Sequence, residues 1–200
     1  LQFQLKGEHS GAEAEKELEI RMHKAISVIQ FKVEGETIKR NPSFHLEKRN
    51  LLHLIDYETG KITLDGKEYE LLDHYFPTID PKDPYALTEE EEDIMERLAC
   101  AFLNCEKLQK HMRFLLNKGS LYKVYNNNLL YHGCVPLCED GSLKTVRIYG
   151  HEYKGKSLYE VLESYVRKGF YAIDAGERQR GRDMMWYIWL SENSPLFGKD

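Results

Sequence analysis

The segment that opens at Thr88 constrains the fold more than any other. Thr88-Glu-Glu-Glu91 has the form of a capping box, in which the threonine and the glutamate three positions later satisfy each other's free backbone amides. The acidic run continues to Asp93, where negative charge suits the positive end of a helix dipole. A solvated first turn explains that run better than a metal cluster does. Downstream, Ile94, Leu98, Ala101, Phe102, Cys105, Leu108, Met112, Leu115 and Leu116 recur at helical spacing, and Lys118-Gly119 closes the run. The spacing predicts one long amphipathic helix with a buried apolar stripe. His111 lies off its center and is expected at the surface.

The other elements are placed around this helix. Leu18, Met22, Ala25, Ile29 and Val33 predict a helix from about Ala12, closed by Gly35, after an irregular end at residues 1–11. Asn41-Pro42 breaks the chain, and a shorter helix is expected over His45 to Ile55. Lys61 to Leu71 carries a hairpin signal, because Asp65-Gly66 supplies the left-handed positions of a type I′ turn. After Gly119 the character becomes β. Ser120 to Tyr125 and Leu129 to His132 predict strands joined by Asn126-Asn-Asn128, and further strands are expected over Leu143 to Tyr149 and Glu152 to Lys154. Ser157 is expected to cap a helix to about Phe170 with Leu158, Val161, Leu162, Tyr165 and Val166 inward. Arg178 to Arg182 reads as a charged loop, and Asp183 to Leu190 as a helix that carries Trp186 and Trp189 into a core. The expected organisation is a helix-plus-hairpin region over 1–118, followed by a β-rich region over 119–200.

Composition narrows the function classes. A net charge of −5 gives no general attraction to nucleic acid or anionic membrane, so neither is expected as a partner. No apolar run approaches the roughly 20 residues of a membrane span, and Leu1 to Glu8 lack the apolar stretch of a signal peptide. Cys100, Cys105, Cys134 and Cys138 are not spaced as Cys-x-x-Cys zinc pairs; buried, reduced thiols in a cytoplasmic protein are the expectation.

His132 is the residue best placed for chemistry. It follows the apolar run Leu129-Leu-Tyr131 and precedes a glycine, so it stands at a strand end where the sheet fixes the backbone and the side chain faces outward. Gly133 would let the chain turn and approach a ligand closely. Imidazole is a good ligand for zinc, iron or manganese, although a histidine in this setting is more often structural. Rival chemistries fare worse. Cys134 lacks the arginine six residues on that a cysteine phosphatase needs, because position 140 is Asp. Gly150 to Ser157 only imitates a phosphate loop, and no Gly-x-Ser-x-Gly elbow is present.

Several blocks resemble the class III, Firmicutes-type fructose-1,6-bisphosphatases. They are Met22-His-Lys-Ala-Ile-Ser-Val-Ile-Gln-Phe-Lys32 with Ile38-Lys-Arg-Asn-Pro42, Phe114-Leu-Leu-Asn-Lys-Gly-Ser120, Leu121-Tyr-Lys-Val-Tyr-Asn-Asn-Asn-Leu-Leu-Tyr-His-Gly-Cys-Val-Pro136, and Met184-Met-Trp-Tyr-Ile-Trp-Leu-Ser-Glu-Asn-Ser-Pro-Leu-Phe-Gly-Lys199. They span nearly the whole chain in the family's order. The resemblance implies an α+β fold of the calcineurin-like metallophosphoesterase type: the helix-plus-hairpin insert, then part of a β-sandwich flanked by helices. It implies two divalent metals, manganese expected, that hydrolyse the 1-phosphate of fructose 1,6-bisphosphate in gluconeogenesis.

His132-Gly-Cys-Val-Pro136 is similar to the His-Gly-Gly-Leu-Ser-Pro block whose histidine binds one metal in those relatives, with Cys134 departing from the pattern. His132 is therefore the expected metal ligand, and no catalytic residue beyond the metals is assigned. Lys199, in the loop from Ser194, is the expected contact to a substrate phosphate. The family's other ligand blocks (Asp-x-His, Gly-Asp-x-x-Asp-Arg and Gly-Asn-His-Asp upstream, Gly-His downstream) are all expected outside Leu1 to Asp200. One imidazole cannot hold two metals. The chain thus resembles an interior fragment, inactive alone. The rival readings are a regulatory or oligomerising module over residues 12–118, in a homo-oligomer, and a different calcineurin-like phosphatase.

Overall fold

A computed structural model describes residues 11–197, with side chains from residue 15 onward. Of the expected irregular end at 1–11, residues 1–10 lie outside the described residues and Gly11 is already helical; the Lys199 contact also lies outside them. Among the described residues the fold mixes helices with three small antiparallel sheets, and it divides into two compact units. One comprises residues up to Pro42 and Leu46–Cys100; the other comprises Ser43–His45 and Ala101 onward. The change from helix to strand falls at Gly119.

In the first unit, α1 (Gly11–Arg40) runs past the expected stop at Gly35. That glycine is a packing residue: a Cβ on it would lie 2.0 Å from the Tyr85 ring. The helix ends at Asn41-Pro42, where proline cannot continue it. Val28 and Ile29 are buried, whereas Leu18 and Met22 of the expected stripe are exposed. The expected helix at 45–55 is instead a pair of 3-10 turns at Glu47–Arg49 and Leu52–Leu54, after another at Pro42–Phe44. They are followed by the short strand β1 (Ile55–Asp56).

Strands β2 (Lys61–Leu64) and β3 (Lys67–Glu70) form the expected hairpin, with Leu64 opposite Lys67 and with Asp65 and Gly66 at φ 49° and 75°. Val28, Leu52 and Ile79 form a small core flanked by Tyr57, Phe76 and Tyr85. The capping box at Thr88 is present: the Thr88 amide donates to Glu91 Oε2 at 2.9 Å, and the Glu91 amide donates to Thr88 Oγ1 at 3.3 Å.

The expected long helix is two helices, α2 (Glu89–Leu103) and α3 (Glu106–Lys118). The break falls at Asn104-Cys105, where Cys105 is extended (φ −78°, ψ 96°) and acts as the N-cap of α3. Asparagine competes for backbone hydrogen bonds, which favours such a break. The apolar stripe is also not buried. Ile94, Leu98, Phe102 and Leu115 are exposed, and Leu108, Met112 and Leu116 are half-buried. His111 is exposed, as expected, and so are three of the four free cysteines; only Cys134 is half-buried, so the expected buried thiols are not found.

In the second unit, β4 (Tyr122–Tyr125) pairs with β5 (Asn128–Tyr131), and β6 (Val146–Ile148) pairs with β7 (His151–Tyr153). The strand expected over 143–149 is shortened to β6; Leu143 makes only an isolated bridge to Leu137. Two packed helices complete the unit, α4 (Lys156–Tyr171) and α5 (Ala175–Leu190). Gly155, at φ 50°, is the N-cap of α4, and Ser157 Oγ turns back to the Lys154 carbonyl at 2.9 Å.

Arg178 to Arg182 is helical, not a loop. Asp174 caps α5 by accepting from the Glu177 amide at 2.8 Å, an Asp-x-x-Glu start that offsets the weak helix propensity of Gly176 and Gly181. Of the tryptophans expected in the core, Trp186 is half-buried and Trp189 is exposed, because Met184, Tyr187 and Ile188 occupy the buried face of α5. Phe44, Tyr149, Tyr165 and Tyr187 form an aromatic cluster, with Phe44 and Tyr187 at 4.8 Å and Tyr149 and Tyr165 at 5.0 Å.

Candidate functional site

The site is built from the β4–β5 hairpin upward. Asn126 and Asn127 adopt left-handed φ values of 48° and 60°, which asparagine tolerates and a type I′ hairpin requires. The turn sets the register, so Tyr122 faces Tyr131 at the open end. His132 is the next residue. It leaves the ladder with its side chain exposed, as its strand-end position suggests. It borders a shallow hollow of about 310 Å³ lined also by Ser120, Tyr122, Lys123, Tyr131 and Leu196. A neighbouring hollow of about 660 Å³ shares Ser120, Tyr122 and Lys123 and reaches Glu160, Glu163 and Arg167 on α4.

The loop after His132 is tied at several points. Gly133 does permit a close approach, but the approaching group is the chain's own backbone. A Cβ there would lie 2.5 Å from the Pro195 carbonyl oxygen and 2.9 Å from that of Leu196. The Cys134 amide donates to the Pro195 carbonyl at 2.9 Å, and Cys134 Sγ lies 3.8 Å from the Ser194 carbonyl. From α4, the Tyr159 hydroxyl donates to the Cys134 carbonyl at 2.7 Å. Burial pushes that phenol up to about 12, with the neighbouring Cys134 and Tyr131 adding to the effect, so it remains a donor over ordinary pH. Ser194 and Pro195 are buried, and Ser194 Oγ donates to the Ile188 carbonyl at 2.5 Å. The segment expected to approach substrate therefore buttresses the histidine loop over Ser194 to Leu196.

The entry to β4 is held from the same helix. Glu163 accepts from Ser120 Oγ at 2.6 Å and from the Leu121 amide at 3.1 Å. Arg167 donates to the other Glu163 oxygen at 2.6 Å and to the Gly119 carbonyl at 3.1 Å. Burial alone would raise the Glu163 carboxyl, but the hydrogen bonds from Arg167, Ser120 and Leu121 outweigh it and hold the group below its ordinary 4.5. A lowered carboxylate stabilises the fold above its unfolded pKa, and the contribution disappears as pH falls through the lower folded value. The thermal midpoint of Glu163→Gln is expected below wild type at pH 7, and the gap should close as the pH falls below the carboxyl's ordinary 4.5. Equal displacement at every pH would assign Glu163 a neutral packing role instead.

Tyr159, Glu163 and the Ser194–Leu196 buttress were not apparent from sequence pattern. Tyr159 lies on the apolar face of a predicted helix and carries no local signal of what its hydroxyl meets. Gly150-His151 is the one Gly-His dipeptide in the chain. It sits at the β6–β7 turn, where Tyr149 and Gly150 have φ 45° and 87°, and the His151 side chain is exposed. Among the described residues, no three His, Cys, Asp or Glu side chains are grouped to hold a metal ion. His132 fits the role of one donor, since its imidazole is exposed and has no hydrogen bond or ion pair among the described residues. A complete metal centre is not formed by the described residues.

A profile described as Firmicute fructose-1,6-bisphosphatase matches residues 1–200. The class 3 fructose-1,6-bisphosphatase of Clostridioides difficile (strain 630) is 55% identical over 187 residues, which is 93% of this chain and 28% of the relative. That of Clostridium botulinum (strain Alaska E43) is 51% identical over 98% of this chain and 30% of the relative. That of Clostridium acetobutylicum is 49% identical over 99% of this chain and 30% of the relative. The chain thus spans less than a third of the curated relatives it matches. No solved structure matches it.

Proposed function

The chain belongs to the Firmicute fructose-1,6-bisphosphatase family, and from that membership we propose that it is part of an enzyme that hydrolyses the 1-phosphate of fructose 1,6-bisphosphate. The family match over the whole chain carries this reading, together with relatives of that name at about half identity. The proposal concerns the intact protein, since the chain spans only 28–30% of the relatives' length. We assign it to the calcineurin-like metallophosphoesterases, to gluconeogenesis and to the cytoplasm. No helix among the described residues is long and apolar enough to cross a membrane.

Within that enzyme His132 contributes one ligand to a manganese centre whose other donors lie outside the described residues. When bound, paired divalent metals supply an activated water and neutralise phosphate charge. The chain's own contribution is to present the imidazole at the end of β5, on a backbone tied to α4 and to the segment after α5. Imidazole ligates manganese, and the exposed ring leaves both nitrogens available for a ligand and an orienting hydrogen bond.

The test uses the intact protein. His132→Ala is expected to lose one manganese per chain and to lower kcat/KM more than about 100-fold, read by metal analysis and by phosphate release. Unchanged metal content and activity would remove His132 from the centre.

A second reading, a surface for assembly, has one observation in its favour. Phe102 and Leu103 at the end of α2 and Phe114 and Leu115 on α3 are each more than half exposed, and apolar patches of this kind mark interaction faces. A homo-oligomer built through them is compatible with the bisphosphatase reading.

A further inference from the structure

We propose that Tyr159 is a positioning residue for His132: by holding the Cys134 carbonyl, its hydroxyl fixes the backbone from which the imidazole projects. The inference rests on the reading of His132 as a metal ligand. Tyr159 is 4% exposed, and its hydroxyl donates to the Cys134 carbonyl at 2.7 Å. The Cys134 amide is committed to the Pro195 carbonyl at 2.9 Å, so both backbone groups of that residue are tied. Gly133 has no slack, because the Pro195 and Leu196 carbonyls fill the space where a side chain would begin.

On the other side of His132, Tyr131 is held opposite Tyr122 in the hairpin ladder. The Tyr122 ring meets the Tyr159 ring edge-on, with centroids 5.6 Å apart. One side chain of α4 therefore touches both supports between which His132 is suspended. The imidazole itself has no hydrogen bond or ion pair among the described residues, so its direction is set by this backbone frame. A metal ligand must be held to within about 0.5 Å of its productive position, which makes the frame consequential.

A tyrosine whose hydroxyl merely found a partner on burial would give a phenylalanine variant with ordinary metal binding. A positioning tyrosine would not. The intact bisphosphatase is compared as wild type, Tyr159→Phe and His132→Ala, with manganese binding followed by electron paramagnetic resonance of the free ion and melting recorded in metal-free protein. Tyr159→Phe keeps the ring and its contact with Tyr122. It is expected to bind manganese about three- to tenfold more weakly, the effect of one lost hydrogen bond. Its metal-free melting temperature should stay within about 4 °C of wild type. His132→Ala is expected to lose binding at one site. Wild-type affinity in Tyr159→Phe, with binding lost in His132→Ala, would overturn the positioning role and leave the ligand reading standing. A larger fall in metal-free melting would assign the hydroxyl to global stability and likewise overturn it. Full manganese binding by His132→Ala would sink the ligand reading and the positioning role together.

Discussion

Replacing Gly181 by alanine is expected to lower the thermal midpoint of the second unit by about 12–24 °C, the counterpart of roughly 3 kcal/mol in a domain of about 100 residues. The cause is a close crossing of α4 and α5. A Cβ at position 181 would lie 2.2 Å from the Gly169 nitrogen, 2.5 Å from its Cα and 2.5 Å from the Tyr165 carbonyl oxygen. These are backbone atoms, so no rotamer change can relieve the clash and the helices must separate. Separation would loosen the buried residues on both faces, Leu158 and Leu162 on α4 and Met184, Tyr187 and Ile188 on α5. Gly176 gives the control. A Cβ there meets only Asp174 Oδ1 at 3.3 Å, and the position is exposed, so Gly176→Ala should be neutral or slightly stabilising through helix propensity. Similar midpoints for the two variants, read by circular dichroism melts, would show that the crossing is not as tight as the geometry states.

That crossing also matters for the site. Tyr159 and Glu163 project from α4, and the segment that crosses Gly133 follows directly from the end of α5. The two helices thus serve as the platform on which the histidine loop and the entry to β4 are held. Nothing in the local sequence around His132 indicates this, because every tie comes from residues 25 or more positions away.

What could be read from the sequence follows the range of the interactions involved. Hairpins were legible because Asp65-Gly66 and Asn126-Asn127 carry their own reason for left-handed φ. The capping box at Thr88 was legible because its two partners are three residues apart. Gly35 reads as a helix stop, and Gly181 carries no signal at all, for the opposite reason. A glycine that ends a helix and one that admits a distant ring or backbone look alike in sequence, and only the Tyr85 ring and the Gly169 backbone tell them apart. The stripe on α2 and α3 has helical periodicity, and that part of the expectation holds. Periodicity says which face is apolar but not what covers it, and among the described residues that face is covered only in part, at Leu108, Met112 and Leu116. His132 stands out as a candidate by its place after an apolar strand, because that signal is local.

The second large effect is expected at Lys32, in the first unit. Its side chain is fully buried, with the ammonium 2.7 Å from Glu91 Oε2 and 2.6 Å from the Thr78 carbonyl oxygen. Glu91 is 4% exposed and is also the acidic member of the capping box, so one carboxylate closes the start of α2 and neutralises a cation from α1. Lys32→Met removes the cation and leaves Glu91 buried beside an unsatisfied carbonyl. Breaking a buried pair from one side costs about 3–5 kcal/mol, far more than the net contribution of the intact pair.

Lys24 provides the comparison, since it pairs with Asp73 at 2.6 Å but the aspartate side chain is 46% exposed. Lys24→Met should cost no more than about 1 kcal/mol. The double variant Lys32→Met/Glu91→Gln should regain part of the loss, because the remaining amide is neutral and can still accept from the Thr88 amide. Urea titrations of the three variants would measure these differences. If Lys32→Met is no more damaging than Lys24→Met, the buried ion pair does not anchor α2 to α1.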